Sequence, residues 1–200
     1  MREEIIEYLK ETYKPRAILI YGSFARGDND EYSDFDCMVI VDAKTAKHDD
    51  SIIGGVQLDC FVFTADEIES EDAETFLTAY DAQIPVDDGI GKSLQYRVRR
   101  YVREHEKMDE REKEFIVSWF RKTMKRMDKG DDEGDHRALA LLWESLCDYM
   151  MLRDMFYFGS KETIGYLKKN DPAGYELFHE AVSGRTNDAI KAWAQHVISF

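Results

Sequence analysis

Asp34 and Asp36 stand two apart in the segment Ser33-Asp34-Phe35-Asp36. A third carboxylate, Asp59, sits inside the apolar run Val56-Gln57-Leu58-Asp59-Cys60-Phe61-Val62-Phe63. On a strand, alternate side chains share a face, so Asp34 and Asp36 are expected to project together. Like charges on one face repel unless a cation lies between them. A divalent metal carrying triphosphate is the natural candidate, because Mg²⁺ takes carboxylate and phosphate oxygens together. A carboxylate among apolar neighbours, as at Asp59, needs a partner or a metal. Beside Asp36 on an adjacent strand it completes a trio able to hold two metals, one for an attacking oxygen and one for a triphosphate. Upstream, Gly22 allows a tight turn and lets backbone N–H groups approach a ligand. Ser23 opens a helical turn whose free N–H groups form a phosphate cradle, with the Ser23 hydroxyl and the Arg26 guanidinium as further donors. Singly these residues have plainer readings: a turn, a strand-edge acid, a salt-bridged acid. Their joint order is what points to chemistry.

The elements that must position them can be read from hydrophobic pattern and turn residues. Ile5, Ile6 and Leu9 predict a helix over 3–12, stopped by Pro15. Residues 17–21 read as a short buried strand and 24–26 as a helical turn, followed by a polar loop over 27–33. Strands are predicted over 34–42 and 56–63, separated by a polar stretch that ends in Gly54-Gly55. Thr64 can cap a helix over about 65–80. A short strand over 83–86 follows, closed by Asp87-Asp88-Gly89. Beyond it the pattern is helical throughout: 92–106, 111–128, 136–157, 161–169, 172–183 and 186–198. The expected fold class is therefore α+β, a small mixed sheet over 1–91 followed by an all-helical bundle over 92–200.

Composition narrows the setting. The 200 residues are 44% hydrophobic, enough for one large core or two small ones. No apolar run approaches the ~20 residues of a membrane span. The N-terminus, acidic and amphipathic, is no signal peptide. Cys37, Cys60 and Cys147 lack paired spacing, so neither a zinc site nor a disulfide framework is expected, and a reduced cytoplasmic protein is the reading. The net charge of −14 is uneven: residues 1–91 hold 7 Lys and Arg against 22 Asp and Glu, whereas 92–200 hold 20 against 19. Such an acidic half repels nucleic acid and attracts metal ions and polycations.

The run Tyr21-Gly22-Ser23-Phe24-Ala25-Arg26-Gly27, then Ser33-Asp34-Phe35-Asp36, with Asp59, resembles the DNA polymerase β-like nucleotidyltransferase superfamily. It looks most like the bacterial antibiotic nucleotidyltransferases that act on aminoglycosides and lincosamides. The resemblance is sharp over about 17–64 and extends weakly over 83–94. It implies that Asp34, Asp36 and Asp59 bind Mg²⁺, that Gly22 and Ser23 hold the triphosphate, and that residues 1–91 are the catalytic domain. It further implies transfer of a nucleoside monophosphate, AMP from ATP being the expected case, to a hydroxyl of a small-molecule acceptor, with pyrophosphate released. The helical half would bind the acceptor. In the aminoglycoside enzymes a glutamate of the helical domain is the general base, and Glu144 is the best match. Relatives can build a site across a homodimer, so Glu144 could serve a neighbouring copy.

Other features carry less. Glu144 and Asp148 lie four apart on the predicted 136–157 helix, which reads as apolar on two sides and central. Solvated helix acids are the plain alternative. Gly89-Ile90-Gly91-Lys92-Ser93 imitates the end of a phosphate-binding loop, but Val86 occupies the position of the required first glycine. Arg97, Arg99, Arg100 and Arg103 read as a solvated helix face rather than a phosphate patch. The alternative function is a protein-modifying regulator of the minimal nucleotidyltransferase type, which attaches nucleotides to tyrosines. A degenerate nucleotide-binding scaffold and an RNA acceptor are further readings, disfavoured by the complete carboxylate trio and the acidic balance.

Overall fold

A computed structural model describes residues 1–200, which form two compact units, Met1–Val102 and Arg103–Phe200. In the first, α1 (Arg2–Tyr13) ends where Lys14 turns left-handed just before Pro15. Then come β1 (Ala17–Ile20), α2 (Gly22–Arg26), β2 (Phe35–Val41), β3 (His48–Asp49), β4 (Ile52–Ile53), β5 (Val56–Thr64), α3 (Ala65–Ser70), a 3-10 segment (Ala73–Ala79), β6 (Gln83–Asp87) and α4 (Ile90–His105). The main sheet runs β3-β5-β2-β1-β6, with β4 paired to β5. Only β2 and β5 pair in parallel; the other pairs are antiparallel. The mixed sheet expected from the sequence is present.

Both faces of the sheet are covered, which explains the unbroken apolar run of β1 and β2. Ile18, Ile20, Cys37, Val39, Leu58, Cys60 and Val62 pack with Ile5 and Leu9 of α1. Ala17, Leu19, Met38 and Ile40 pack on the other side with Ile68, Phe76, Leu94 and Val98. Cys37 and Cys60 are in-register neighbours on the α1 side, and the hydrogen bond with Cys60, then burial, pushes the Cys37 thiol far up. The residue before each cysteine alternates to the opposite face, so Asp36 and Asp59 share the side away from α1.

Three local outcomes differ from expectation for physical reasons. The helix expected over 65–80 breaks after Ser70. Thr64 and Glu67 form a full capping box at its start, but Glu69 and Glu71 crowd its negative C-terminal end. Arg97 secures the break from outside, donating to the carbonyls of Ile68 and Glu71, while Arg99 donates to that of Tyr80. These two arginines thus clamp carbonyl ends rather than lie on a merely solvated face. The polar stretch 43–54 carries two short strands, β3 and β4. Gly54 and Gly55, both at positive φ, make the two-residue turn joining β4 to β5. Finally, residue 91/92 falls inside α4, whose Leu94 and Val98 pack on the sheet, so the first compact unit continues to Val102.

The second unit comprises α5 (Glu110–Met127), α6 (Asp132–Leu152), α7 (Ser160–Asn170), α8 (Pro172–Gly184) and α9 (Asn187–Val197). α6 starts four residues earlier than expected because Asp131 caps it through Gly134 N–H at 2.9 Å. Asp132, Glu133 and Asp135 then suit its positive end, so a loop-like composition is helical here. The bundle core includes Phe120, Leu141, Leu152, Leu167 and the fully buried Trp193. Trp193 Nε1 donates to Ser145 Oγ at 2.7 Å, satisfying the one polar atom of that indole. Asp171 caps α8 and accepts from Tyr149 Oη at 2.8 Å, with His196 Nε2 at 2.6 Å from the same carboxylate. No helix is long and apolar enough to cross a membrane.

In its second half α6 is buried on both of its apolar faces, with Leu146 and Met150 joining Leu141 and Leu152 in the bundle core. Ala138, Leu141, Ser145, Tyr149 and Leu152 face the bundle, whereas Leu139 is 50% and Trp143 88% exposed. The two-sided apolar helix read from the sequence is present over that second half, and Leu139 and Trp143 are the members of one stripe left exposed. Glu144 is exposed beside Trp143, and Asp148 is half-buried one turn on. Burial, then the charge of Glu144, pushes the Asp148 carboxyl up to about 6. A carboxyl raised in the folded state contributes stability that is present below about pH 4 and lost as pH rises through about 6. Asp148→Asn should therefore stabilise the protein at pH 7.5 by on the order of 1–2 kcal/mol. The gain should vanish near pH 4, and thermal melts at the two pH values check it; an equal shift at both would remove the argument.

Candidate active site

β2 begins at Phe35, one residue later than predicted, so Asp34 lies in irregular backbone at the strand's entrance and is exposed. Phe35 between the two acids is fully buried, packed on Phe24 of α2 with ring centroids 5.0 Å apart. It anchors the segment on the α1 side, so the neighbouring Asp36 falls on the other. Across the parallel ladder Asp36 stands in register with Asp59 of β5. Adjacent strands lie about 4.8 Å apart, so the two acids are direct neighbours.

Gly22 closes this row from the β1 side. Its φ is +65°, and Tyr21 N–H donates to Asp36 C=O at 3.1 Å, holding the turn against β2. A Cβ on Gly22 would overlap the Asp36 carboxylate, with its Cγ at 2.8 Å. The glycine is thus required both for its backbone angle and because Asp36 occupies the space. Ser23 is buried in the first turn of α2, and its carbonyl accepts from Gly27 and Asp28 N–H at 2.8 and 3.2 Å. Arg26 ion-pairs with Asp28, Nε to Oδ2 at 3.3 Å.

On the far side of Asp59 stands His48, which the sequence reading passed over. Its Nε2 lies 2.6 Å from Asp59 Oδ1, and its ring meets that of Phe61 at 4.9 Å. The signal was slight: a two-residue strand carries no visible alternation. Glu144 and Asp148 belong to the helical unit. Lys92 is exposed at the start of α4, and Gly91 packs closely on Ala17 and Ile84, so that stretch is a turn and helix start.

No three His, Cys, Asp or Glu side chains converge as a ready-made ion site. The chemistry of the donor set nonetheless fits a hard divalent cation. Asp36 and Asp59 offer only carboxylate oxygens, in register, with Asp34 just before β2. What fold and site define together is a mixed sheet with a Gly-Ser turn set against a strand-borne carboxylate pair.

The profile of the nucleotidyltransferase domain family matches residues 2–131, and the chain belongs to that family. It is therefore a nucleotidyl-transferring enzyme, and enzymes of this family use a nucleoside triphosphate with a divalent metal. Among solved structures, a nucleotidyltransferase-like protein from Exiguobacterium sibiricum 255-15 is similar over 98% of this chain and 72% of its own, at 10% identity and a TM-score of 0.39. No curated protein matches the chain.

Proposed function

We propose that the protein transfers a nucleoside monophosphate, AMP from ATP in the expected case, to a hydroxyl group of a small-molecule acceptor of the aminoglycoside or lincosamide kind. The observation that carries this reading is the in-register pair Asp36 and Asp59 with Gly22 set against Asp36, in a chain of the nucleotidyltransferase domain family. Asp34, Asp36 and Asp59 would hold Mg²⁺. When bound, the ion would neutralise phosphate charge and lower the barrier to displacement at the α-phosphorus. Gly22 and Ser23 would seat the triphosphate and Arg26 would add a charged donor. The acceptor oxygen forms a bond to the α-phosphorus, the bond to pyrophosphate breaks, and the hydroxyl proton passes to a general base.

Glu144 is the proposed base, and the helical unit the proposed acceptor-binding part. Its support is chemical: an exposed carboxylate beside Trp143 on an uncovered helix face suits a polar, cation-bearing acceptor. Loss of a positioned base typically costs 10²–10⁴-fold. Glu144→Gln should therefore lower kcat by about a hundredfold or more with little change in the nucleotide KM. A variant that keeps wild-type kcat would remove Glu144 from the reaction.

The test of the whole reading is direct. The protein is incubated with Mg²⁺, each of the four ribonucleoside triphosphates and a panel of aminoglycosides and lincosamides, and products are read by mass spectrometry. A nucleotide adduct on a drug with release of pyrophosphate is the expected result. An adduct on protein instead would replace the small-molecule acceptor with a protein one. The absence of any adduct from a chain that binds nucleotide would sink the drug-like acceptor class.

A further inference from the structure

His48 is placed with care by residues that do nothing for the carboxylates directly. Its neighbour Asp49 is buried on the α1 side of the sheet, where Tyr13 Oη donates to it at 2.7 Å and Tyr8 Oη at 3.1 Å. Burial works to raise Asp49, but hydrogen bonds from Ser51, Tyr13 and Tyr8 outweigh it and hold the carboxyl below its ordinary value. Asp49 thus fastens β3 to α1 as a charged anchor. Alternation along the strand then sends His48 to the opposite face. There β3 pairs antiparallel with β5, His48 standing opposite Phe61 and reaching two residues along β5 to Asp59. The tilted contact with the Phe61 ring fixes the imidazole plane. The row across the sheet reads His48, Asp59, Asp36, Gly22, each on the next strand or turn.

We propose that His48 is a positioning residue for nucleotidyl transfer, its Nε2–H fixing one oxygen of Asp59 so that the other stays aimed for a divalent ion. The inference rests on the reading of Asp59 as an ion ligand. An ionised carboxylate only accepts hydrogen bonds, so Nε2 carries the proton of this contact. His48 and Asp59 are 40% and 41% exposed. At that exposure such a bond adds little to stability, and its larger effect is on the carboxylate's orientation. Carboxylate ligands are commonly held by an outer partner, whose loss costs about 10–100-fold in metal affinity or activity.

The experiment measures Mn²⁺ binding by electron paramagnetic resonance, with the α,β-methylene analogue of the nucleotide the wild type transfers. Wild type, Asp59→Asn, His48→Phe and His48→Gln are compared, each with a thermal melt. His48→Phe keeps a ring against Phe61 and removes the donor, whereas His48→Gln restores an amide N–H at similar reach. Expected are a native melt and Mn²⁺ binding weakened about 10–100-fold in His48→Phe, with most of it recovered in His48→Gln. In turnover, kcat falls while the nucleotide KM stays. If Asp59→Asn loses Mn²⁺ and His48→Phe binds as tightly as wild type, the positioning role is overturned and Asp59 stands as ligand. If Asp59→Asn binds Mn²⁺ like wild type, the reading of Asp59 falls and His48 with it. Should His48→Phe not fold, His48→Gln decides. Near-wild-type binding supports the role, and a loss as deep as that of Asp59→Asn with a native melt overturns it.

Discussion

Asp36→Asn should lose about a thousandfold or more of nucleotidyl transfer, equivalent to at least about 4 kcal/mol of transition-state stabilisation. The substitution keeps size and hydrogen-bonding shape but removes the negative charge and one anionic oxygen. Asp36 lies in register with Asp59 on a neighbouring strand, and like charges so placed repel by roughly 0.2–1 kcal/mol. With that repulsion relieved, Asp36→Asn should remain folded in the absence of divalent ions, which a thermal melt checks. Adding Mg²⁺ with nucleotide should raise the wild-type melting temperature, as binding to the native state alone must. The variant should show little of that rise. Loss of activity, a retained fold and a lost ligand response together separate an ion-holding carboxylate from a structural one. A variant that transfers nucleotide at near-normal rate would take Asp36 out of the site.

Legibility in the sequence varied with how far each residue's role reached along the chain. β1, β2 and β5 declared themselves because each is a run of largely apolar residues bounded by turn residues, with β1 and β2 buried on both faces and β5 alternating between buried and more exposed positions. Asp36 and Asp59 stood out by contrast as charges inside those runs. Their register, which makes them neighbours, is a property of parallel pairing that no single strand displays. β4 did leave a trace, since Ile52-Ile53 before Gly54-Gly55 and Val56 is a hairpin pattern. β3 left none: two residues are too few to alternate, and its position depends on Tyr8 and Tyr13 of α1. His48 therefore became visible only with the sheet. The break after Ser70 was hidden for a similar reason, as the clamp is Arg97, far along the chain. In α6 the apolar residues were identified correctly, and both stripes reach the core through Leu141, Leu146, Met150 and Leu152. Trp143 and Leu139 share a stripe with the buried Leu146 and Met150 yet stay exposed, a difference that periodicity does not display.

Gly22→Ala is expected to be the most damaging single-methyl change in the chain. Two effects coincide at this residue. A left-handed φ of +65° costs an alanine about 1–2 kcal/mol. The added Cβ would also enter the space of the Asp36 carboxylate, its Cγ at 2.8 Å and Cβ at 3.1 Å, so either the turn or the carboxylate must move. Either movement separates the Gly-Ser turn from the acid it is set against, and misplacement of about 1 Å can cost 10²-fold in rate. Gly55→Ala supplies the control. Gly55 also has a positive φ, +85°, but nothing lies within 4 Å of the position its Cβ would take. It should lose about 1–2 kcal/mol of stability from backbone strain alone. At a temperature where both variants are folded, Gly55→Ala should transfer nucleotide like wild type and Gly22→Ala should be at least about a hundredfold slower. Equal activity in the two would mean that Gly22 serves only the turn. The difference between them measures what the contact with Asp36 contributes to the reaction, since backbone strain is common to both.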